Sequence, residues 1–144
     1  MTVEEIKTNI RYNENLVDEY FIKKKKIESD IFDLEKLRDK FGSLQSNFCE
    51  RQQKRQLGLA KFTAINVKNK VFNTYYNGMK DLLNGYQFNN ANDGLTIAKD
   101  KINKQIYRLF DELEECENTI RYRQGRIYYW NNELRKALAE QNLL

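Results

Sequence analysis

Asp111, Glu112, Glu114 and Glu115 form the densest set of groups in this chain that could do acid-base work or hold a pair of metal ions. Helical carboxylate metal sites ordinarily add a Glu-x-x-His pair, and none of the 144 residues is histidine. The commonest general base and the commonest transition-metal ligand are therefore both missing. The four carboxylates read as solvated charge. Cys49 and Cys116 are too few and too far apart for a disulfide framework or a metal site. Cys116 falls on an apolar row and reads as a small buried residue. No catalytic residue, metal ligand or cofactor is assigned, and the chain is expected to act by binding.

Basic residues could serve a polyanion instead. Lys23 to Lys26 form one run, Arg51, Lys54 and Arg55 a second group, and Arg121, Arg123 and Arg126 a third. On a helix, four successive lysines point around most of the circumference. Acids are mixed in throughout, so that 25 basic residues meet 21 acidic ones and the formal charge is only +4. Solvated faces with intrahelical ion pairs account for this pattern better than nucleic acid does.

The elements that must position any binding surface are helices. The chain has no proline and 6 glycines, as a long-helix protein requires. From Ile102 to Ala137 apolar residues recur at alternating spacings of three and four. One row reads Ile106, Leu113, Ile120, Ile127 and Leu134; the other reads Ile102, Leu109, Cys116, Arg123, Trp130 and Ala137. A 3.5-residue period kept over five heptads belongs to a long helix packed lengthwise on another.

A second pattern runs from Val3 to about Gln56. Its rows are Ile6, Asn13, Tyr20, Ile27, Leu34, Phe41 and Phe48, beside Val3, Ile10, Val17, Lys24, Ile31 and Arg38. Leu16, Leu37 and Leu44 widen this stripe, which suggests contact with more than one helix. Asn13, Lys24 and Arg38 would restrict register and partner. Gly42-Ser43 could bend the helix, and the pattern continues through it. Gly58 suits a C-terminal cap. Phe62 to Asn66 read as a connection, followed by a shorter helix over about 67–84 that Gly85 ends. Gln87 to Gly94 carry the turn residues of a loop, with Asn92 or Asp93 capping a last helix over about 95–140.

The expected fold is therefore one all-α domain over 1–144, a long antiparallel helical hairpin resembling a coiled coil, with a shorter helix in the connection. With the turn between Gln56 and Asp93, facing residue numbers should total about 149. Tyr128, Tyr129 and Trp130 would then lie beside Leu16, Tyr20 and Phe21 as an aromatic cluster at the open tip. The opening residues carry no basic and then apolar signal, and no run reaches the length of a membrane span. A cytoplasmic location is expected.

In layout, and over Ile27 to Phe48, Lys61 to Leu83 and Ala98 to Leu134, the chain resembles the WXG-like small helical proteins of type VII secretion systems of Gram-positive bacteria, in particular those encoded beside LXG toxins. The Trp-x-Gly turn of that family is absent; its nearest counterpart is Phe62-Thr63-Ala64. The family's export signal, tyrosine followed four residues later by an acid, has a counterpart in Tyr129 with Glu133 and a second in Tyr107 with Asp111. That spacing puts both side chains on one helix face.

The resemblance implies a targeting factor or chaperone. It would bind the helical N-terminal domain of a toxin, alongside a second small helical accessory protein, and deliver it to the secretion apparatus, leaving with the cargo in some cases. Ile27, Ile31, Leu34, Ile120, Ile127 and Leu134 would be the partner-binding residues. The alternatives are a self-associating structural coiled coil, with a homodimer completing the core, and a basic helical protein associated with nucleic acid.

Overall fold

A computed structural model describes residues 1–63 and 70–143. The fold is all-α, a long antiparallel helical hairpin with a shorter helix in its connection. Helix α1 spans Val3–Thr63, α2 spans Lys70–Asn84 and α3 spans Tyr86–Leu143. α1 packs against α3 in the manner of a coiled coil.

The start of α1 is fixed by a reciprocal capping box. The Glu5 backbone N–H donates to Thr2 Oγ1 at 3.2 Å, and the Thr2 N–H donates to Glu5 Oε2 at 2.8 Å. The Thr-x-x-Glu spacing that makes this possible is plain in the sequence. α1 runs unbroken through Gly42 and Gly58, neither of which has a positive φ. It therefore continues past the expected stop at Gln56, and Phe62 and Thr63 belong to its last turn. The counterpart of the Trp-x-Gly turn reaches Ala64 and so falls partly outside the described residues, as does the start of the expected middle helix.

The expected loop over Gln87 to Gly94 is helical. α3 begins at Tyr86, directly after Gly85. Gly85 is required by space: a Cβ there would overlap the Asp81 carbonyl oxygen. Its own carbonyl accepts from the Asn89 N–H at 3.4 Å. Neither Asn92 nor Asp93 caps a helix, because both lie inside α3. Local turn preference is weak here against packing. The Phe88 ring stacks on Phe48 with centroids 4.8 Å apart, and Asn92 is hydrogen-bonded to α1.

The chain divides into two compact units, Met1–Asp33 with Ile106–Leu144, and Leu34–Gln105. In the first, Ile6, Ile10, Val17, Ile27 and Ile31 of α1 are buried with Ile106, Leu109, Cys116 and Ile120 of α3. All nine come from the heptad rows. Burying such a side chain contributes about 1.5–3 kcal/mol, so this seam is a hydrophobic core in its own right. In the second unit, Gln52 is the one buried residue among the described residues. Half-buried Phe41, Phe48 and Phe88 share its seam with polar side chains.

The facing register differs from the expected one. In the first unit Lys24 meets Glu117; in the second, Arg38 meets Asn103 and Cys49 meets Asn92. Each pair of numbers totals 141, where 149 was expected. Tyr128, Tyr129 and Trp130 are consequently not beside Tyr20 and Phe21. Phe21 shares a groove with Ile120 and Gln124, while Asn131 and Leu134 share one with Ile10 and Arg11.

Candidate functional site

Polar residues on an otherwise apolar seam must find partners when buried, and here they find one another. In the first unit Asn13 is 4% exposed. Its Nδ2 donates to the Asn9 carbonyl at 2.8 Å, and its Oδ1 accepts from Arg123 Nη1 at 3.3 Å. The two polar interruptions of the rows therefore form one layer. The Arg123 guanidinium lies 5.8 Å from the Tyr12 ring centroid and 5.3 Å from that of Tyr122. Its Nε is buried without a hydrogen-bond partner. Lys24 forms ion pairs with Glu117 at 3.5 Å and Glu28 at 3.9 Å.

In the second unit, Arg38 Nη1 donates to Asn103 Oδ1 at 3.2 Å. Gln45 makes the densest cross-link: its Nε2 donates to Asn92 Oδ1 at 3.0 Å and to Thr96 Oγ1 at 2.9 Å, while its Oε1 accepts from Lys99 Nζ at 3.2 Å. Cys49 Sγ donates to Asn92 Oδ1 at 3.4 Å. Gln52 Nε2 is buried and without a partner. Gln45 and Gln52 continue the row of Ile31 and Arg38 at seven-residue steps, which is the signal that a reading limited to apolar residues passes over.

Of the residues expected to meet a partner, Ile27, Ile31 and Ile120 are buried between the arms of the first unit, at 5%, 6% and 5% exposed. They serve the hairpin's own core, and another chain could reach them only if the arms parted. Leu34, Ile127 and Leu134 are half-buried. Other apolar side chains face water in both units, Ile22 at 72% and Phe110 at 46% exposed in the first among them, and the second unit presents them in strips. Leu37 and Leu44 lie one heptad apart on α1 at 42% and 56% exposed; Tyr75 and Leu82 share one face of α2 at 58% and 57%; Ile97 of α3 is 54% exposed.

Tyr129 is 46% exposed. Glu133, one turn further on, pairs with Lys136 at 3.3 Å. The Arg126 guanidinium lies over Tyr129 and Trp130, 4.8 and 5.3 Å from the ring centroids, and those two rings meet edge to face. Tyr107 and Asp111 are exposed. So are Glu112, Glu114 and Glu115, and among the described residues no group of three or more histidine, cysteine or acidic side chains is arranged to hold a metal ion. Both cysteines are free thiols. Among the described residues no helix is long and apolar enough to cross a membrane.

Compared with known proteins, the chain matches no family profile, no curated protein and no solved structure.

Proposed function

We propose that this chain is a non-enzymatic helical adaptor whose second unit packs against helices of another protein. The observation that carries the reading is the exposure of Leu37 and Leu44 on one face of α1, beside a seam closed by polar layers. Large apolar side chains in water at heptad spacing fit a helix-in-groove contact, in which a partner's apolar face covers them. Tyr75 and Leu82 on α2 offer a second apolar strip of the same kind.

The resemblance to WXG-like proteins supplies the specific version. The partner is the helical N-terminal domain of an LXG-type toxin, with a second small helical protein in the assembly. The chain acts as its cytoplasmic targeting factor to the type VII secretion apparatus, and Tyr129 with Glu133 is the segment offered to that apparatus.

The test is purification of the tagged chain from its host, with mass spectrometry of what accompanies it. Recovery of a larger protein with a helical N-terminal domain in a fixed ratio is expected, and Leu37→Asp with Leu44→Asp should abolish it. Tyr129→Ala with Glu133→Ala should leave the complex intact and stop export of the cargo. An unchanged complex in the double aspartate variant would remove this face from the interface. Recovery of the chain alone would favour the self-associating coiled coil, and nuclease-sensitive material the nucleic-acid reading.

A further inference from the structure

α3 carries a second stripe, off the seam, with carboxylate acceptors before its middle residue and side-chain donors after it. Glu112, Glu115, Thr119, Tyr122 and Arg126 recur at spacings of three and four and so fall on one line along the helix. Glu112, Glu115 and Tyr122 are exposed, and Thr119 and Arg126 are half-buried. Among the described residues, none of the ion pairs within the chain takes up Glu112, Glu115 or Arg126. The Arg126 guanidinium is held by the faces of Tyr129 and Trp130 instead. Stacking of this kind fixes the planar fork and leaves its N–H donors available for a carboxylate.

Turned end for end about Thr119, the stripe is complementary to itself. Glu112 stands seven residues before Thr119 and Arg126 seven after it; Glu115 stands four before and Tyr122 three after. We propose that this face takes a second copy of the same chain, α3 lying antiparallel on α3 with a two-fold axis at Thr119. The Glu112 carboxylate of each copy accepts from Arg126 of the other, and the Glu115 carboxylate accepts from the Tyr122 hydroxyl of the other. A two-fold contact makes every pair twice. Exposed ion pairs are individually weak, so the dimer is reversible and sensitive to salt. These residues are separate from Leu37 and Leu44, and the inference stands independently of the proposed adaptor function.

Sedimentation of the purified full chain across the micromolar range, at low and high salt, reads the association directly. Glu112→Arg or Arg126→Glu alone sets like charges against each other at two places and should weaken the dimer about tenfold or more. The variant carrying both substitutions should recover it. So should an equimolar mixture of the two single variants, because unlike charges again face each other at both places. Far-UV circular dichroism should show all variants equally helical. The proposal is overturned if the unmodified chain stays monomeric throughout, if the single variants dimerise as the unmodified chain does, or if neither the double variant nor the mixture recovers association.

Discussion

Arg123 is the residue at which the rows break, and its surroundings explain why the break is tolerated. Asn13 supplies one acceptor, and two tyrosine rings flank the guanidinium. Asn13→Ala would leave the half-buried Arg123 Nη1 donor without its acceptor, which costs about 1 kcal/mol. Replacing Asn13 and Arg123 together by Leu removes donor and acceptor at once, and should come out near neutral or stabilising. Urea unfolding of Asn13→Leu, Arg123→Leu and the double gives the coupling. Simple additivity of the single losses would mean that the two side chains act separately. Both breaks were visible in the sequence, at Asn13 and at Arg123. That they meet was not, because the pairing depends on a register that periodicity leaves open to sliding.

At the scale of the elements, hydrophobic period identified the two long helices, and local composition misplaced their ends. Three asparagines, an aspartate and a glycine within Asn89 to Gly94 favour a turn when weighed locally. The row of Ile102 and Leu109 nevertheless extends backwards through Leu95 to Phe88, and the stack of Phe88 on Phe48 shows that the seam follows it. The two glycines of this region should therefore behave oppositely. Gly94 sits inside α3 with open space where a Cβ would stand, so Gly94→Ala should stabilise the chain by about 0.5–1 kcal/mol. Gly85→Ala meets the Asp81 carbonyl and should destabilise it. Thermal unfolding followed at 222 nm compares the two; a loss of stability in Gly94→Ala would be inconsistent with a helix through that position.

For the molecule as a whole, what matters is that the same heptad pattern closes two units with different chemistry. Nine buried apolar residues hold the first unit, while the second is cross-linked by Arg38, Gln45 and Cys49 through hydrogen bonds. Hydrogen bonds that exchange with water contribute about 0.5–1.5 kcal/mol each, less than a buried isoleucine. Amide hydrogens over 34–63 and 86–105 should consequently exchange faster than those over 6–31 and 106–127, as hydrogen exchange with mass spectrometry would show. Uniform protection along both helices would contradict the division. The hairpin itself was legible from composition and period; the uneven strength of its two units was not, because rows drawn for apolar residues do not weigh Gln45 and Gln52.

The Asn13–Arg123 layer and the Lys24–Glu117 pair also have a mechanical consequence. An apolar heptad seam alone is a vernier: sliding one arm by seven residues replaces most isoleucines with other isoleucines or leucines at little cost. With these layers present, the same slide would set Arg123 against Ile6 or Tyr20, and Lys24 against Phe110 or Gln124. A guanidinium stranded among apolar rungs loses its acceptor and gains nothing in return. The arms are thus notched against each other, and a force pulling one along the other would have to lift them apart before they could move.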